Sequence, residues 1–152
     1  MRDQIEVATA GEMRGLGRRL AAGLRAGDLL VLSGPLGAGK TTLVQGIGDG
    51  LGVRGPITSP TFVIARVHPS LRGGPALVHA DAYRLGGAAE IDDLDLDSGT
   101  ASSVTAVEWG EGLAEGLSDD RLEISIELCG DARTVRITGV GRRWAGAALA
   151  PA

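Results

Sequence analysis

Gly34-Pro35-Leu36-Gly37-Ala38-Gly39-Lys40-Thr41 fits G-x-x-x-x-G-K-[ST], a loop whose backbone N–H groups wrap phosphate oxygens. Of the 15 lysines and arginines, Lys40 is the one lysine. An ammonium is a compact charge on a flexible stem, whereas a planar guanidinium would overfill a loop closed around phosphate. A chain with 25 glycines produces chance spacings, but chance rarely adds Lys-Thr between an apolar run and a helical pattern. The expected chemistry is nucleoside triphosphate binding. The N–H groups of Gly37, Ala38, Gly39, Lys40, Thr41 and Thr42 converge on the β- and γ-phosphates, Lys40 bridges their oxygens, and the Thr41 hydroxyl holds Mg²⁺.

Phosphoryl chemistry also needs an acid at the end of a neighbouring strand, to hold the metal or its water. Asp81 and Glu108 each follow an apolar run, and spacing does not choose between them. Thr61, in Thr58-Ser59-Pro60-Thr61-Phe62, is either a hydroxyl that senses the γ-phosphate through the metal or part of a proline turn entering a strand. Trp109 stands beside Glu108, where an indole serves packing as readily as function. His79 precedes Asp81 by two residues, a spacing that puts both on one face of a strand; it reads as a structural histidine rather than a proton carrier.

These residues need elements to position them. The run 29–33 is a buried strand, and Leu43, Val44, Ile47 and Leu51 recur at helical spacing after the loop. Residues 4–7 suit a short first strand. Thr9-Ala10-Gly11-Glu12 then has the form of a capping box, followed by an apolar helical face at Met13, Leu16, Leu20 and Leu24. Strands are expected at 62–67, 76–80 and 104–107, with short helices or turns at 90–97 and 111–117. Leu122, Ile124, Ile126 and Leu128 alternate with polar residues, as in a half-buried strand, and Gly130-Asp131 turns the chain back into 133–138. The fold class is α/β: a P-loop NTPase-type mixed sheet flanked by helices, closed by a C-terminal antiparallel hairpin. Residues 1–139 read as one P-loop ATPase domain and 140–152 as a flexible tail.

Composition removes several function classes. A net charge of −4 argues against unaided binding to a nucleic-acid backbone. Cys129 is alone, which excludes an intrachain disulfide and a cysteine metal cluster and suggests a buried, inert thiol. No signal peptide or membrane-length apolar run is present, so a cytoplasmic location is expected. Guanine recognition through Asn-Lys-x-Asp is excluded in a chain without asparagine whose one lysine is in the loop.

In combination, residues 34–42, 58–62, His79-Ala80-Asp81-Ala82-Tyr83-Arg84-Leu85 and Val107-Glu108-Trp109 resemble the TsaE family, bacterial ATPases required for threonylcarbamoyladenosine modification of tRNA. The resemblance spans about residues 4–139, with alanine at 80 and 82 where the family pattern has Phe and Leu. It implies ATP and Mg²⁺ as cofactors, with phosphate contacts at residues 37–42 and Mg²⁺ at Thr41 and Glu108. It also implies a catalytic role for Asp81, switch behaviour at Thr61, a functional Trp109, and Thr9 and Arg133 near the nucleotide. The implied partners are TsaD and TsaB, with tRNA reached only through them and no membrane involved. Two other readings remain: a P-loop small-molecule kinase using Arg66, Arg72 or Arg84 to clamp an acceptor, and a nucleotide-dependent adaptor whose hydrolysis is incidental.

Overall fold

The computed structural model describes residues 2–35, 39–53, 55, 65–81, 103–108 and 120–144. In chain order they form β1 (Arg2–Val7), α1 (Ala10–Ala21), β2 (Leu29–Ser33), α2 (Lys40–Leu51), β3 (Ala65–His68), β4 (Ala76–Asp81), β5 (Ser103–Glu108), β6 (Arg121–Cys129), β7 (Ala132–Val140) and a 3-10 turn at Arg142–Trp144. The elements expected at 90–97 and 111–117 lie outside the described residues, as does the first part of the strand expected at 62–67.

The strands make one seven-stranded sheet in the order β1-β7-β6-β2-β5-β4-β3. The pairs β4/β5, β5/β2 and β2/β6 are parallel, while β3/β4, β6/β7 and β7/β1 are antiparallel. The mixed α/β sheet expected from the sequence is therefore present. Antiparallel strands close both sides rather than only the C-terminal one, because the first strand pairs with the last and β3 turns back onto β4. Following the pairings, β1, β2, β4, β5 and β6 all run one way, so their C-terminal ends share one edge of the sheet. In open α/β sheets that edge is where ligands bind.

The central strands are buried along their length, which explains their unbroken apolar runs: β5 is buried at every position and β2 at its first four. The alternating residues Leu122, Ile124 and Ile126 of β6 face the core shared with α1 and α2, together with Leu30, Leu32 and Ile137. The alternation stops there: Leu128, expected inside, is 49% exposed near the hairpin tip. Cys129, expected to be buried, is exposed beside it and contacts the Thr134 hydroxyl at 3.2 Å. Leu128 keeps the inward register of β6 near the hairpin tip, where nothing covers it, while Cys129, one residue on, takes the opposite face of the strand.

α1 begins with half of the expected capping box, the Thr9 cap, while the Glu12 carboxylate reaches back one residue further, to Ala8. Glu12 N donates to Thr9 Oγ1 (3.1 Å), and Ala8 N donates to Glu12 Oε2 (2.7 Å). The two helices then approach closely along three glycines. A Cβ on Gly46 would stand 2.8 Å from the Arg14 carbonyl carbon, one on Gly50 2.9 Å from Arg18 O, and one on Gly17 2.7 Å from Ile47 N. Side chains at these positions would push α1 away from α2.

Beyond β7, Arg143 locks the chain to the turn before β2. Its Nε and Nη2 donate to the two carboxylate oxygens of buried Asp28 at 3.0 and 3.1 Å, and its guanidinium lies 4.1 Å from the centre of the Trp144 ring. Trp144 itself is buried, and residues 145–152 lie outside the described residues.

Candidate functional site

The site is built where β2 hands the chain to α2. Gly34 leaves β2 at φ +149°, a conformation L side chains rarely adopt, and a Cβ there would stand 2.6 Å from Ile126 O. Gly39, at φ +112°, is the N-cap of α2. A glycine offers no side chain to cap the helix, and the first turn of α2 carries no acid. α1 has the Thr9 hydroxyl to accept from one of its first N–H groups. In α2 the corresponding donors and the positive end of the helix dipole face the loop mouth, an arrangement suited to an anion.

Lys40 opens α2 with its side chain buried. Its Nζ donates to the carbonyl of Gly34 at 2.6 Å and of Pro35 at 3.2 Å, so the ammonium is folded back across the start of the loop. Thr41, next along the helix, points its hydroxyl at Glu108, the last residue of β5, with Oγ1 3.5 Å from Oε1 and 3.4 Å from Oε2. These contacts are long for a hydroxyl–carboxylate hydrogen bond. Neighbouring oxygens around an octahedral Mg²⁺ are about 3 Å apart, so the two groups need only a small closure to share one ion. Their hard oxygen donors suit Mg²⁺. Among the described residues, which do not include the Asp81 side chain, no group of three or more His, Cys, Asp or Glu side chains could hold a metal. Mg²⁺ characteristically keeps waters and substrate phosphates for its other positions.

The backbone of Asp81 ends β4 in register with Glu108, placing the two acids considered from the sequence on adjacent strand ends. The side chain of Asp81 lies outside the described residues, as do Gly37, Ala38, Thr61 and Trp109. Of the two acids, the structure places the Glu108 carboxylate opposite Thr41. Ala80, where the family pattern has Phe, is fully buried in β4.

Thr9 and Arg133 meet the loop although 124 positions separate them in the chain. Together with Ala8, Ala10, Met13, Gly39, Thr42 and Asp131 they line one cleft. The register explains it: β1 pairs with β7 so that Val7 lies opposite Arg133, which brings the N-cap of α1 and the hairpin tip to the same sheet edge. Met13 closes the cleft floor, because a Cβ on Gly39 would lie 3.2 Å from Met13 Cε. Neither Met13 nor Asp131 was singled out from the sequence. Only the alternation of β6 and the turn at Gly130 could have pointed to the hairpin tip.

The remaining surprise is His79. Fully buried in β4, it bonds through Nε2 to Glu108 Oε2. Its spacing from Asp81 gave no hint of an attachment to Glu108.

Arg72, one of the possible acceptor clamps of a kinase, is elsewhere. Its Nη2 donates to the carbonyls of Asp49 (3.4 Å) and Gly50 (3.0 Å), which cap the far end of α2. Twelve residues of helix place that end about 17 Å from Lys40. The other two arginines of that reading, Arg66 and Arg84, have side chains outside the described residues.

The family model of the threonylcarbamoyl adenosine biosynthesis protein TsaE matches residues 7–135. The chain belongs to the TsaE family. A TsaE protein of Streptomyces coelicolor is 63% identical over 139 residues, covering 88% of this chain and 94% of its own. The TsaE protein of Bacillus subtilis is 38% identical, covering 88% of this chain and 83% of its own. The crystal structure of YdiB from Bacillus subtilis superposes with a TM-score of 0.77 at 31% identity, covering 95% of this chain and 90% of that one. TsaE membership places the chain in threonylcarbamoyladenosine biosynthesis. Among the described residues no helix is long and apolar enough to cross a membrane.

Proposed function

We propose that this TsaE-family chain is a cytoplasmic, Mg²⁺-dependent ATPase whose hydrolysis drives or resets a complex of TsaD and TsaB during threonylcarbamoyladenosine modification of tRNA. The observation that carries the reading is Thr41 facing Glu108 directly behind the phosphate-loop lysine. TsaD performs the threonylcarbamoyl transfer, and tRNA is held by the partners, which suits a chain of net charge −4.

In this reading Lys40 exchanges its two backbone carbonyls for β- and γ-phosphate oxygens, moving a short distance from a position it already occupies. The N–H groups of residues 37–42 hold the triphosphate, while Thr9 and Arg133 flank it in the adjoining cleft. Thr41 and Glu108 hold Mg²⁺, which when bound neutralises charge developing on the transferred phosphoryl group. Asp81, at the neighbouring strand end, orients the attacking water; Thr61 senses the γ-phosphate and Trp109 reports the change to the partner surface.

The test is reconstitution with TsaD, TsaB and tRNA, beside a capture experiment for TsaD with and without ATP. The expected result is ATP-dependent capture, release of phosphate as the sole phosphorylated product, and failure of modification by Asp81→Ala although ATP still binds. Modification sustained by Asp81→Ala would favour an adaptor with incidental hydrolysis. A phosphorylated metabolite from a panel incubated with ATP would favour a kinase, a reading already weakened by Arg72 lying at the far end of α2.

A further inference from the structure

β4 is a core strand in which Leu77, Val78 and Ala80 around position 79 are all buried and apolar, yet position 79 holds a fully buried imidazole. A polar ring there costs stability unless both nitrogens are satisfied, and an apolar side chain of similar volume would cost less. The ring is only half satisfied: Nε2 meets Glu108 Oε2, while Nδ1 has no hydrogen-bond partner among the described residues. A core position that breaks the burial rule and leaves an atom unpaired calls for an explanation other than packing.

The register supplies one. His79 lies opposite Ala106 of β5, two residues before Glu108. Alanine leaves room for the ring to lean along β5 toward the carboxylate at the strand end. An ionised carboxylate, the form that holds a metal, only accepts, so in that form the donor of this bond is Nε2. We propose that His79 is a positioning residue for the metal-holding carboxylate: its Nε2–H fixes the Glu108 side chain so that both oxygens stay turned toward Thr41 Oγ1, at 3.4 and 3.5 Å. This inference rests on the reading of Glu108 as a Mg²⁺ ligand. It adds that metal affinity is set partly from β4, by a side chain that touches neither metal nor nucleotide. Partners that orient a metal ligand typically change affinity by about 10–100-fold when removed.

The experiment measures Mn²⁺ binding by electron paramagnetic resonance at saturating ADP, ADP affinity in chelator, and thermal melting. Wild-type protein is compared with His79→Leu, His79→Gln and His79→Asn. A glutamine amide nitrogen reaches the place of Nε2, whereas that of asparagine falls short of it. The expected result is a Mn²⁺ dissociation constant raised about 10–100-fold in His79→Leu, near wild-type in His79→Gln, and raised in His79→Asn, with metal-free ADP affinity unchanged throughout. Wild-type metal affinity in His79→Leu overturns the proposal. Should that variant not melt cooperatively, the amide pair decides: equal metal affinity in His79→Gln and His79→Asn overturns it. Absence of nucleotide-dependent Mn²⁺ binding in the wild type itself would sink the ligand role of Glu108, and this inference with it.

Discussion

Thr41 Oγ1 lies 3.4 Å from Glu108 Oε2, a contact between the first turn of α2 and the last residue of β5 that joins positions 67 residues apart. Two hard oxygens at nearly the spacing of adjacent Mg²⁺ ligands, beside a buried lysine, define where metal and phosphate would meet.

If both oxygens hold one ion, removing the charge of Glu108 weakens its hold. Glu108→Gln keeps the shape but offers a poorer donor, and should lower Mg²⁺ affinity in the nucleotide complex and phosphate release by on the order of 100-fold. Calorimetric titration of Mg²⁺ at fixed ATP analogue, beside a phosphate-release assay, checks both quantities. Unaltered Mg²⁺ dependence would remove Glu108 from the metal.

Lys40 Nζ sits 2.6 Å from Gly34 O and 3.2 Å from Pro35 O on a buried side chain, and a planar guanidinium is bulkier than the ammonium that makes those contacts. Lys40→Arg should therefore lose nucleotide affinity and hydrolysis nearly as fully as Lys40→Ala. Equilibrium binding of a fluorescent ATP analogue distinguishes the outcomes, and wild-type-like binding by Lys40→Arg would contradict the geometry.

Trp144 is buried against Arg143, whose bonds to Asp28 hold it at the N-terminal end of β2, the sheet edge opposite the loop, so it can be replaced without touching the site. In a Trp144→Phe background, the fluorescence of Trp109 should change on adding Mg-ATP if that indole adjoins the metal acid. A constant signal at saturating nucleotide would take Trp109 out of the site.

Gly46 has no room for a methyl group, since its Cβ would stand 2.8 Å from the Arg14 carbonyl carbon. Alanine is the better helix former by about 1 kcal/mol, yet overpacking costs about 1–3 kcal/mol, so Gly46→Ala should destabilise the protein or leave it no better. Urea unfolding decides the sign. A clear gain in stability would show that α1 can step away from α2 without penalty.

Much of the fold was legible because local rules agreed with the final arrangement. The Thr9 side chain caps α1, the run 29–33 is a central strand, and Leu43, Val44 and Ile47 are fully buried. Leu128 was misread because periodicity reports which face a residue takes, not whether anything covers that face, and Cys129 because a lone thiol says nothing of which strand face it occupies. The clamp role considered for Arg72 failed for a related reason: a cation in a glycine-rich turn can reach a helix C-terminus as easily as a substrate, and only the path of the turn decides.

The phosphate-loop motif, its lysine and the supply of acids were legible in the sequence alone, because a nucleotide cradle requires consecutive backbone N–H groups and so must be written contiguously. Strand order had to be folded to be known. Parallel pairing of β2 with β5 sets Glu108 opposite Thr41, and pairing of β1 with β7 brings Thr9 beside Arg133. Attachment of His79 to Glu108 depends on a register in which a small alanine leaves the way open. Such contacts join residues through the sheet rather than along the chain, and no local propensity encodes them.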